Sequence, residues 1–196
     1  MSAYSTTVES IDRSSASLRE DQVRLGLWMF LATVTMLFAA FTSAYVVRRS
    51  GTDWRHVPLP SILWFNTLVL AASSGAVEVA SRSGVAGRRA TALVAMAAAL
   101  KLGFMFLGGQ LMAWKEMVVG GAYLASSPHS SFFFMLTAAH GVHVVAALAV
   151  LTWGAWRTLS IDRDVHRWEY SMEICRTFWH YLGAVWLFLF ALVSLY

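Results

Sequence analysis

Apolar and polar positions along the chain fall into five long apolar runs separated by short polar joints. The runs cover roughly residues 25–47, 61–80, 89–113, 131–156 and 173–196. A helix needs about 20 largely apolar residues to cross the hydrocarbon core of a bilayer, and each run meets that length. The joints carry residues that interrupt helices: Gly51 with Pro58 and Pro60, then Gly84 and Gly87, then Gly120, Gly121 and Pro128, then the charged segment from Arg157 to Tyr170. Joints this short make consecutive helices antiparallel neighbours. The predicted fold class is therefore all-α, a polytopic integral membrane protein built as a bundle of five transmembrane helices over residues 24–196. Residues 1–23 are rich in Ser and Thr and hold no apolar core of signal-peptide length, so they read as a tail, disordered or lying on the membrane surface, ahead of an uncleaved first span.

Composition supports the bilayer as solvent. The chain is 58% hydrophobic and 13% charged, against about a quarter charged in soluble domains. Nine Trp, twelve Phe and six Tyr suit aromatic belts at the two membrane interfaces. The single cysteine, Cys175, excludes an intrachain disulfide and a Cys-rich zinc or iron–sulfur cluster. A formal charge of +4 raises nucleic acid as a partner. The arginines sit instead in short loops between apolar runs, where they set orientation. Arg13, Arg19, Arg24, Arg82, Arg88, Arg89, Arg157, Arg163, Arg167 and Arg176 fall on one side, against Arg48, Arg49, Arg55 and Lys115 on the other. The positive-inside rule then places the N-terminus in the cytoplasm and the C-terminus outside.

Lipid tails remove the hydrophobic drive between helices, so packing should rest on small residues. Ala95, Ala99 and Gly103 recur at four-residue spacing in the third run; Ala72, Ser73, Gly75 and Ala76 are expected to act likewise in the second, and Gly108 and Gly109 read as mid-span packing glycines. Ionisable groups inside spans cost a few kcal/mol each on insertion scales and need a partner, a water pocket or a route to the interface. Here they are Glu78, Lys101, His140, His143, Glu173 and His180. His140 and His143 lie three apart on one helix and cannot clamp a haem between them. His180 lies about 10 Å from the cytoplasmic end of its helix and His143 about 20 Å, a mismatch that disfavours ligation of one haem by both. A copper or zinc site at His140 and His143 lacks further ligands at that depth. The histidines therefore read as hydrogen-bonded residues fixing helix contacts. Lys101, about 18 Å deep, is expected to face the bundle interior or a subunit interface near the fourth helix. Glu78 reads as an interfacial partner of Arg82 or, more sharply, as a proton relay, and Glu173 with Arg176 as a local ion pair. No nucleophile with a base, phosphate loop or HExxH is present, so the chain is not expected to catalyse by itself.

Two segments carry a family signature. FFFMLTAAHGVHVVAALAVL, with Thr137, His140, Gly141 and His143, is similar to the Thr-x-x-His-Gly-x-His segment of subunit III of haem-copper terminal oxidases. FWHYLGAVWLFLFALVSLY, with Trp179, His180 and Trp186, resembles that family's final helix, and Glu173 stands where the family has a Glu seven residues before the His. RLGLWMF, Asn66 with Thr67, and Gln110 with Glu116 add weaker support; the resemblance runs from Arg24 to Tyr196.

The resemblance implies a non-catalytic subunit of a cytochrome c or quinol oxidase in the bacterial plasma membrane. It would pack mainly against subunit I, with subunit II and small subunits or a supercomplex as further partners. Haems and copper would lie in partner subunits and none in this chain. The family binds phospholipid and is thought to support proton and oxygen supply; Arg157 matches an Arg that it uses for a lipid phosphate. Longer members have seven spans, and this chain has the last five, as in the short bacterial forms. Carboxylates of the family fall here at Val34, Ala113 and Gly183, which takes away any proton-uptake role that depended on them. Lys101 has no counterpart in the family pattern. An accessory subunit of a nitric oxide reductase and, from another class, a small ion transporter or channel are the alternative readings. The latter meets neither internal repeats nor helices broken at the midplane.

Overall fold

The computed structural model describes the backbone of residues 2–51, 54, 59–121, 123, 127–159 and 165–195, with side chains from residue 18 onward apart from 157–159 and 165–167. Among these residues every regular element is a helix: α1 (Ser2–Arg49), α2 (Ile62–Val85), α3 (Arg89–Val119), α4 (Pro128–Leu159) and α5 (Val165–Leu195). All five contain stretches long and apolar enough to span a membrane, namely Leu18–Arg49, Ile62–Val85, Arg89–Val119, Pro128–Trp156 and Trp168–Leu195. The all-α polytopic expectation holds. The helices outrun the apolar runs because backbone hydrogen bonding continues cheaply once a helix is nucleated. The largest extension is α1, whose helical backbone continues through the Ser-rich tail to Ser2.

The chain divides into a first unit, residues 1–36, and a second, residues 37–196. The first is the N-terminal part of α1, where the Thr33 and Thr35 hydroxyls donate to the carbonyls of Met29 and Leu31 one turn back. The second holds the remainder of α1 with α2–α5.

Within the second unit, α2 packs on α3, α3 on α4, α4 on α5, and α5 returns to α2. The neighbouring pairs were expected from the short joints; the contact that closes the ring was not. Gly87 and Gly121, at φ 70° and 83°, turn the chain after α2 and α3 in a backbone region that side chains disfavour. After α2 the amides of Ala86 and Gly87 donate to the carbonyls of Arg82 and Gly84, capping the helix where its own ladder ends.

Small residues set the closest approaches, on faces partly different from those expected. Ala95, Ala99 and Gly103 are buried along α3 as predicted. In α2 the packing face is Leu63, Asn66, Val69, Leu70, Ser73, Val77 and Ala80. Only Ser73 of the four small residues singled out there lies on it, whereas Ala72 and Gly75 are exposed. The two adjacent glycines of α3 also divide. A methyl group on Gly109 would collide with the Asn66 amide, while one on Gly108 would meet nothing. Gly103 admits the Trp179 ring and Leu148, both closer than 3.0 Å to where a β-carbon would stand. Gly84, expected in a joint, lies in α2 against the Trp168 indole of α5.

Candidate functional site

The centre of the ring is aromatic, and its middle is His140. The imidazole is buried and lies tilted against the Trp186 indole of α5, with ring centroids 5.4 Å apart. Phe106 of α3 meets it edge-on at 6.0 Å, and Phe38 of α1 does so at 6.4 Å. Phe106 in turn stands at 90° to Trp186, 4.9 Å away. Edge-to-face arrangements place the positive ring edge on a negative ring face, which adds attraction to dense packing. Neither ring nitrogen of His140 has a hydrogen-bond partner among the described residues. This corrects the reading of both histidines as hydrogen-bonded, since His140 is held by ring packing.

His143 hydrogen-bonds, but within its own helix: Nδ1 lies 2.7 Å from the Ala139 carbonyl, and its ring packs against Phe38 at 5.8 Å. Gly141, between the two histidines, would place a side chain in open space.

Around this centre, side chains tie one helix to the next. The Trp186 indole donates to the Thr67 hydroxyl at 3.1 Å, linking α5 to α2. The Asn66 amide donates to the Phe106 carbonyl at 3.2 Å, and the Ser73 hydroxyl to the Ala99 carbonyl at 3.1 Å; both link α2 to α3. Trp114 donates to the Thr137 hydroxyl at 3.0 Å, which in turn donates to the Phe133 carbonyl at 2.6 Å, linking α3 to α4. His140 and Trp186, one from each motif, thus form one connected unit with Asn66 and Thr67, noticed in the sequence as weaker support, while Thr137 of the first motif ties α4 to α3 through Trp114. Trp179 belongs to the same packing through Gly103.

His180 is one residue further round α5 and faces outward. Its Nε2 lies 3.9 Å from a carboxylate oxygen of Glu78, and Arg176 Nη1 lies 3.7 Å from the same oxygen. The other oxygen of Glu78 accepts from Arg82 Nε at 2.7 Å. The Glu78–Arg82 pair was expected; the contribution of α5 was not. All four side chains are at least partly exposed, as suits a solvated interfacial cluster. Glu173 is half-buried in α5.

With His180 turned outward and His140 inward, the three membrane histidines do not converge. Among the described residues no three His, Cys, Asp or Glu side chains come together as a metal site. Arg157 falls in the last turns of α4, and its side chain lies outside the described residues.

Lys101 departs from one of its two expected placements. It is exposed on the outer face of α3, away from the bundle interior. Sequence reading also missed His129, which was counted with the loop before the fourth span. It is buried just inside the start of α4 and meets Trp54 edge-on at 5.4 Å and Tyr45 at 6.3 Å. The signal available was Pro128, a residue favoured in the first turn of a helix.

A family model described as cytochrome c oxidase subunit III matches residues 9–196. The chain is 27% identical over 184 residues to "Probable cytochrome c oxidase subunit 3" of Nocardia farcinica, covering 89% of this chain and 88% of that protein. It is 29% identical over 179 residues to "Cytochrome bo(3) ubiquinol oxidase subunit 3" of Pseudomonas aeruginosa, covering 87% and 83%. It is 30% identical over 186 residues to "Cytochrome c oxidase subunit 3" of Allomyces macrogynus, covering 89% of this chain but 65% of that longer protein.

Proposed function

The chain belongs to the cytochrome c oxidase subunit III family, and from that premise we propose that it is the non-catalytic third subunit of a bacterial haem-copper terminal oxidase. The observation that carries this reading is the contact of His140 with Trp186. The imidazole of one family motif and the indole of the other meet in a single packed unit, which suits a scaffold whose motif residues serve shape.

In this role the protein packs mainly against subunit I, which holds the haems and copper, with subunit II and small subunits or a supercomplex around it. It stabilises subunit I during turnover, binds phospholipid with Arg157 as the candidate for a headgroup phosphate, and supports the supply of protons and oxygen. The arginine distribution supports a cytoplasmic N-terminus and a C-terminus outside. Relatives named for cytochrome c and for ubiquinol both match; the donor is a property of the partner subunits.

The test is purification through a tag in mild detergent, followed by a visible spectrum and mass identification of partners. The expected result is a complex with haem bands and an oxidase subunit I, while the separated chain shows no Soret band. Deleting the subunit should leave initial oxygen reduction largely intact and speed inactivation during turnover. Stoichiometric haem in the isolated chain, or a nitric oxide reductase as the haem protein that co-purifies, overturns the assignment.

A further inference from the structure

Lys101 is a cation on the outside of a membrane helix. It stands twelve residues from Arg89 and fourteen from Lys115, about 18 and 21 Å along the axis at 1.5 Å per residue. Those two residues mark the charged ends of the apolar part of α3. A lysine stem snorkels toward the nearer interface, yet its extended length covers only about a third of either distance. Within the described residues no carboxylate, carbonyl or ring reaches it, and it is exposed. An ammonium at that depth requires an acceptor or water, and no acceptor of the described residues reaches it from the packed side.

We infer that the outer face of α3 around Lys101 is a docking surface for a transmembrane helix of another subunit that carries an Asp or Glu at the same depth. Charge complementarity selects this occupant. A second copy of the chain does not fit, because its acidic residues lie in the tail, the joints or near helix ends. Glu78 is already held by Arg82 and Arg176.

The surface beside Lys101 has room for a close helix. Ala97 and Ala98 lie one turn before it and Gly108 two turns beyond, all exposed, and the space above Gly108 is open. Small residues let helix backbones approach closely in lipid, which brings a short carboxylate within reach of the ammonium. Phe104 and Met105, both exposed, complete an apolar rim that keeps the ion pair dry. The inference rests on the reading of the chain as one subunit of a membrane complex.

The test uses the whole complex, purified through a tag on chains carrying photoreactive benzoylphenylalanine in place of Ala98 or Met105. Illumination should yield an adduct with one partner helix whose apolar span contains an Asp or Glu. Lys101→Glu should lower recovery of that partner tenfold or more while Lys101→Arg retains it, and exchanging the partner's carboxylate for Lys should restore the Lys101→Glu complex. Because Lys101 is exposed, thermal unfolding of the isolated chain should be unchanged by either variant, which separates lost docking from lost folding. Adducts with lipid alone, or wild-type recovery with Lys101→Glu, overturn the inference while a co-purifying haem-containing subunit I leaves the oxidase reading standing. An adduct with an acid-bearing helix in a complex free of haem does the reverse.

Discussion

His140 and Lys101 lie well inside the membrane on neighbouring helices, and they have opposite fates. The imidazole goes inside, walled by Phe38, Phe106 and Trp186, and the ammonium goes outside. The difference is one of charge. A neutral imidazole is desolvated at modest cost and gains ring contacts from three helices, whereas an ammonium in a dry aromatic core would carry a penalty that attraction to the ring faces returns only in part. The inner region therefore explains how the subunit holds itself together, and the outer region where it meets something else. Stability and assembly should separate along the same line when residues of the two regions are changed.

The sharpest break comes from adjacent glycines. Gly109→Val drives its side chain into Asn66 and disturbs the Asn66–Phe106 bond, and should cost about 3 kcal/mol of stability, read as a lowered Tm of the detergent-solubilised chain. Gly108→Ala should not lower that Tm, because nothing stands where its methyl would go and alanine suits a helix interior better than glycine. Equal effects would mean that the inner and outer faces of α3 are wrongly assigned.

His140→Ala should destabilise by about 2 kcal/mol through the cavity left among the rings. His140→Phe should lie within about 1 kcal/mol of the parent, since an orphaned buried polar group is replaced by an apolar ring of similar shape. The haem spectrum of the complex should be the same in both. A large loss with Phe as well as with Ala would show that the ring nitrogens, and not the ring, are needed.

Trp186→Phe retains most of the stacking but removes the donor to Thr67, and should cost about 1 kcal/mol. Thr67→Val in the same background should then add little, a coupling that a double-mutant cycle measures. The smallest change is expected at the interfacial cluster. Glu78→Gln removes pairs whose partners are part-exposed, worth ~0.5 kcal/mol or less in screened surroundings, so the thermal midpoint should scarcely move. A collapse of proton uptake in the complex without a change in that midpoint would revive the relay reading of Glu78.

The number, order and approximate limits of the five spans were legible in the sequence, because a bilayer converts a run of apolar residues directly into a helix of required length. The Gly87 and Gly121 turns were legible for a related reason, in that few residues other than glycine adopt positive φ easily. The packing faces were legible only in part. Ala95, Ala99 and Gly103 were read correctly in α3, but the small residues of α2 were not, because in lipid both the inner and outer faces are apolar and no polar stripe distinguishes them. The motif histidines were found and their direction was not. A His-Gly-x-His spacing places two rings on neighbouring sides of a helix, but whether a ring meets a hydrogen-bond acceptor or an indole depends on which helix lies opposite.

What the amino-acid sequence determined alone is therefore the solvent, the helices and the family, each of which follows from local composition or from residues close together in the chain. What only the tertiary structure decided is the meeting of partners far apart in sequence: Trp186 with Thr67, Glu78 with His180, Gly103 with Trp179. It also decided that Lys101 stands outside the packed ring. These are matters of helix rotation, which the chain settles by fitting shapes across a contact and does not encode at any single position.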